Sequence, residues 1–173
     1  MTKIQDLIGD YHSFFSDLLF RMQQVGIHIT GMPMSHLLYR TTTTAEYNHL
    51  RDALKKHCGE FVETQFNDRA VSILILREPL LLEDNFAVSM IELPAPRAVH
   101  MYPSGLESIG VTIGKKLPEF IQQHHHVLTG IKEHGQYCQP AFITFDNDKT
   151  AKFYDISLRE IVILQGWEIA SLN

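Results

Sequence analysis

The chain has 173 residues, 45% of them hydrophobic, and a formal net charge of −5. That supplies apolar material for one ordinary domain or for two small fused modules and argues against disorder. The modest acidic balance, without a Lys/Arg block, argues against a nucleic-acid surface, and no apolar window reaches the length of a membrane span.

No basic segment followed by an apolar run opens the chain, so a cytoplasmic protein is expected. Cys58 and Cys138 stand far apart and in no Cys-x-x-Cys pair, which points to neither a disulfide framework nor a zinc knuckle. Ile4, Leu7, Ile8, Tyr11, Phe15, Leu18, Leu19 and Met22 recur at the spacing of one helical face and predict an amphipathic helix over residues 3–25, with Gly26 near its end. "MSHLLYR" (34–40) reads as a strand. In "TTTTAEYNHLRDALKKHCG" Thr43 and Glu46 suggest a capping box, Tyr47, Leu50 and Leu54 a buried stripe, and Gly59 the helix end. "EFVETQF", "VSILIL" and "FAVSMIEL" then read as three strands.

The same order returns from "LESIGVTIG": a strand, then "KKLPEFIQQHHHVL" as a helix between Pro118 and Gly130, then "PAFITF", "TAKFYDI" and "EIVILQG" as strands. The repeat divides the chain into a helical segment (1–30), a first βαβββ module (31–94), a Pro-rich linker (95–105) and a second βαβββ module (106–173), forming one compact domain.

A tandem βαβββ order with His36 early in the first strand and Glu92 late in the fourth resembles the vicinal oxygen chelate superfamily of glyoxalases and extradiol dioxygenases. "IHITGMPMSHLLYR", "MIELPAPRAVHMYPSGLESIGV" and "DKTAKFYDISLREIVILQG" resemble its YecM branch. The resemblance implies an α+β fold in which the two modules form a glyoxalase-like curled-sheet barrel, with an extra N-terminal helix. It also implies a cavity whose divalent metal is held by His or Glu from the first and fourth strands of each half. On that pattern His36 and Glu92 are the metal ligands kept in the first half. Ser108 and Gln165 stand where the second half would carry His and Glu, since 92 − 36 = 56 and 165 − 108 = 57. A neutral hydroxyl and an amide are weak ligands for a first-row ion. The metal site therefore reads as degenerate, with zinc, nickel, manganese or iron as the ions to consider.

Each residue also has a plainer reading. His36 could be a core histidine satisfied by a carbonyl or by Glu92. Glu92 could hold a metal, form an ion pair inside the barrel, or act as a general base. Arg40, on the same strand face as His36, is either a structural ion pair or a fork for a ligand's carboxylate or phosphate. Tyr102 and His100 in the linker are candidate ligand contacts at the cavity mouth. Glu107 alternates with Ser108 and is expected to face away. His124 falls on an apolar helix stripe while His125 and His126 turn to solvent, so "HHH" does not converge on a metal.

Two functions follow. One is a binding protein for a small, anionic molecule (Arg40, Tyr102, Ser108 and Gln165 as ligand contacts) with weak or lost metal binding. The other is a metal-dependent lyase, isomerase or dioxygenase with an unusual coordination shell. Enzymatic activity stays open between them, and either a monomer or a homodimer is compatible with both modules lying in one chain.

Overall fold

The computed structural model describes residues 2–99, 101–132 and 136–173. The helix expected over 3–25 is in fact two, α1 (Ile4–Ile8) and α2 (Tyr11–Gln24). Gly9 at φ 83° ends the first, and the Asp10 carboxylate accepts the Ser13 N–H to start the second. The apolar stripe survives the break, with Phe15, Leu18, Leu19 and Met22 buried and Leu7 and Tyr11 packed at the core's edge.

The first repeat is β1 (Met34–Arg40), α3 (Thr44–Lys55), β2 (Cys58–Phe66), β3 (Arg69–Leu81) and β4 (Ala87–Pro94). Thr43 accepts the Glu46 N–H at 3.1 Å, and the Glu46 carboxylate reaches back to accept the Thr42 N–H at 2.7 Å and the Thr42 hydroxyl at 2.9 Å. Gly59, expected at the helix end, already lies in β2. Asn67 and Asp68, both at positive φ, make the tight turn between β2 and β3.

The second repeat is β5 (Gly105–Thr112), α4 (Leu117–His124), β6 (Gly130–Ile131), β7 (Ala141–Thr144) and β8 (Thr150–Tyr154). The fourth strand is thus "TAKFY", and "EIVILQG" is not a strand. It forms α5 (Leu158–Leu164), opened by a reciprocal capping box between Ser157 and Glu160. A short apolar run ending in Gly fits either element, and the Ser-x-x-Glu signal before it decides for helix. The chain then crosses to β9 (Ala170–Ser171), which pairs with β2.

The strand order is β6-β7-β8-β5-β1-β4-β3-β2-β9, a curled sheet that does not close. Each half returns its fourth strand parallel to its first, β4 beside β1 and β8 beside β5, and the halves join through the antiparallel β1–β5 pair. Strand alternation sorts the side chains. Leu37, Leu74, Ile91, Ile109, Val111, Ala151 and Phe153 form one core with the residues of α2 and α3. On the other, concave face Val62, Val71, Ile73 and Met90 pack against Leu158 and Val162 of α5. That face also carries His36, Glu92 and Lys152. Among the described residues no helix is long and apolar enough to cross a membrane.

Candidate functional site

A cavity of about 60 Å³ lies between the concave face and α5. Its polar lining is Glu92, Lys152, Tyr154, Cys138, Thr64 and Gln165, and Ile73, Leu158 and Val162 are among its apolar walls. The roof is therefore α5, and Gln165 reaches the cavity as that helix's C-terminal cap and not from a strand.

Beside the cavity floor, next to Glu92, lies His36, fully buried and itself outside the lining. Its Nδ1 is 2.8 Å from Ser35 Oγ, which accepts the Leu158 N–H at 2.9 Å. Ser35 Oγ keeps both its proton and a second lone pair for Nδ1, so it can serve either tautomer of the ring. Nε2 lies 3.3 Å from Glu92 Oε2, near enough for charge but too poorly aligned for a hydrogen bond. Room for the ring exists because Gly110 lies opposite, where a Cβ would come within 2.6 Å of Cε1 and 2.7 Å of Nδ1. Tyr154 stands edge-on to the imidazole, with ring centroids 5.3 Å apart.

Burial pushes the Glu92 carboxyl up, but His36, Lys152 and Arg40 together outweigh that and hold it well below the usual carboxylate range. Burial, with Glu92 and Cys138 nearby, pushes Tyr154 well above the ordinary phenol value, so its hydroxyl stays a donor. Burial likewise pushes the Cys138 thiol up to about 12. Lys152 is only 3% exposed, lines the cavity and has no carboxylate within 4 Å among the described residues.

Next to this floor the sheet gathers guanidinium groups. Arg40 is forked onto Glu107, Nε to Oε2 at 2.5 Å and Nη2 to Oε1 at 3.1 Å, and its Cζ lies 4.2 Å from the centroid of the Tyr102 ring. Glu107 thus does not face away as alternation suggested. A register shift between Leu38 and Tyr39 leaves Glu107 as the extra residue on β5, and this bulge turns it toward Arg40. Arg69 donates through Nη1 to Ala95 O at 3.2 Å. Burial, then repulsion from Arg40 and Arg97, lowers its pKa, which places the three guanidinium groups in one field. Arg40 Nη1, Arg69 Nε and Arg97 Nε are buried without a hydrogen-bond partner among the described residues. Lys132, its ammonium 4.8 Å from the Phe142 centroid, is lowered to about 8 by burial and by Lys152 and Arg40.

The residues singled out from sequence are therefore distributed as follows. His36 and Glu92 meet, Gln165 shares the cavity with Glu92 from the roof, and Arg40 and Tyr102 stack on one another. Ser108 lies on the same face, but its Oγ is fully buried, without a partner among the described residues, and outside the cavity lining. His100 falls outside the described residues. His124 is buried against Phe120 (4.6 Å), with His125 and His126 exposed. Lys152, Tyr154, Arg69 and Arg97 were missed. The signal for Lys152 was available, because a lysine between Ala151 and Phe153 in a short apolar strand raises the same question as His36 in β1. No group of three His, Cys, Asp or Glu side chains that could hold a metal occurs among the described residues.

A family model described as YecM protein matches residues 3–139, most of the chain. The chain belongs to the YecM family. The match contains His36, Arg40, Glu92 and Ser108, whereas Lys152, Tyr154 and Gln165 of this YecM chain lie beyond it. A solved structure titled "Structural Genomics, Protein EC4020" superposes with a TM-score of 0.71 at 23% identity, covering 95% of this chain and 97% of that one. That likeness supports the glyoxalase-like curled-sheet fold. No curated protein matches.

Proposed function

We propose that this YecM-family protein binds a small anionic molecule on the concave face and holds no tightly bound divalent ion. The observation that carries the reading is the set of three buried guanidinium nitrogens without partners among the described residues, Arg40 Nη1, Arg69 Nε and Arg97 Nε. Buried N–H donors left unmade are costly, and an oxyanion entering beside them would satisfy several together. Five cationic side chains (Arg40, Arg69, Arg97, Lys132, Lys152) share this region with two carboxylates, Glu92 and Glu107. The excess of positive charge favours an anionic guest. As a metal seat the region offers one imidazole and one carboxylate, with Ser108 and Gln165 as neutral oxygens and two cations bearing on Glu92. That donor set does not fit a resident first-row ion.

The test is calorimetric titration of inorganic phosphate and malonate at constant ionic strength into wild type and Arg69→Gln. Binding that the substitution weakens by about tenfold is expected, the scale of one charge-assisted bond. No heat above a chloride control would overturn the reading. A second reading, metal-dependent catalysis, draws on one observation, the buried His36 Nε2 beside Glu92, without a hydrogen-bond partner among the described residues. Zinc, nickel or manganese binding in wild type that disappears in Glu92→Ala would favour it.

A further inference from the structure

The register of the two halves identifies which residue replaces Glu92 in the second. In the first half β1 and β4 run parallel with Leu38 opposite Glu92. In the second, β5 and β8 run parallel with Gly110 opposite Lys152. His36 and Ser108 each lie two residues before the partnered position on their strand. The counterpart of Glu92 is therefore Lys152, and an ammonium stands where the repeat would place a second carboxylate.

Gly110 makes the two halves meet. It pairs with His36 on one side and with Lys152 on the other. Those two residues are therefore two strand spacings apart, about 10 Å between Cα atoms, with no side chain between them. The imidazole leans over the glycine, the lysine borders the cavity from the far side, and Glu92, paired with Leu38 on the next strand, reaches the imidazole diagonally. Burying an ammonium without an adjacent counter-charge is expensive. Glu92 supplies a field but no contact within 4 Å, and Lys152 borders the cavity, so its ammonium is open to a guest there.

We infer that Lys152 is the cavity's resident cation, standing in place of a metal ion, and that its ammonium binds the charged oxygen of a small carboxylate. The cavity volume of about 60 Å³ admits only a few non-hydrogen atoms, since one water needs roughly 10–15 Å³ of such space. The Tyr154 hydroxyl and the Gln165 amide line the same space and supply neutral donors for the second oxygen. This assignment rests on the anion reading above and narrows it to one group and one ligand class.

The experiment has two arms. In the first, acetate and formate are titrated at constant ionic strength into wild type and Lys152→Met, which keeps the length of the side chain and removes its charge. Wild type should bind and the variant should lose about tenfold in affinity or more, while far-ultraviolet circular dichroism stays unchanged. In the second, Lys152→Glu sets two carboxylates and one imidazole around Gly110. Its thermal midpoint should fall without metal and recover by several degrees with cobalt, nickel or zinc, ions that leave wild type unmoved. Acetate binding equal in wild type and Lys152→Met would overturn the assignment, as would a Lys152→Glu protein that folds yet shows no response to metal. Phosphate binding that needs Arg69 but is indifferent to Lys152→Met would overturn the assignment alone and leave the broader anion reading standing.

Discussion

Replacing Gly110 by alanine should be among the most damaging single-atom additions this protein can receive. The new Cβ would lie 2.6 Å from His36 Cε1 and 2.7 Å from Nδ1, contacts that packed atoms do not tolerate. The ring is fully buried and sits between Gly110, Tyr154 and Glu92, so it cannot swing aside freely. Overpacking of a full core costs about 1–3 kcal/mol, and displacing the ring from Ser35 Oγ removes a hydrogen bond worth about 1 kcal/mol. The expected loss is about 2–4 kcal/mol, or a fall in thermal midpoint of about 5–15 °C for a chain of this size. Urea and thermal unfolding followed by circular dichroism measure it. The same change made in a His36→Ala background has no ring to strike and should be neutral or stabilising by about 0.5–1 kcal/mol, because alanine suits a strand better than glycine. Equal costs in the two backgrounds would show that the close approach of Gly110 to His36 is not what the position requires.

Glu92, whose folded pKa lies below its unfolded one, contributes stability that is present above about pH 4.3 and is lost as pH falls through the folded value. Wild type should therefore lose more stability between pH 5 and pH 3 than Glu92→Gln does, and parallel urea midpoints across that range would contradict the assignment. Burial pushes the Cys58 thiol up to about 11 and Cys138 up to about 12, so at pH 8 neither should react with a thiol reagent until the protein is unfolded. Prompt labelling of Cys138 in the native protein would mean that α5 opens readily over the cavity.

Much of this architecture is legible in the sequence because it is periodic. The stripe from Phe15 to Met22, the Tyr47, Leu50 and Leu54 face and the short apolar run "VSILIL" are each legible within a single element. His36 and Glu92 are conspicuous for the same local reason, as polar groups in strands that otherwise read as apolar. Local pattern fails where two elements must be compared. "EIVILQG" has the composition of a strand; the Ser-x-x-Glu signal before it makes it a helix, and the packing of its Val162, with Leu158, against Val62, Val71, Ile73 and Met90 makes that helix the roof of the cavity. The near-equal spacings of 56 and 57 consequently pointed to Gln165, while strand pairing makes Lys152 the counterpart of Glu92. Glu107 turns toward Arg40 through a bulge that no count along one strand reveals. Arg69 and Arg97 converge on Arg40 from distant parts of the chain. Sequence determines which side chains each strand offers to each face. The register between strands, set by packing across the whole sheet, decides which of those side chains share a site.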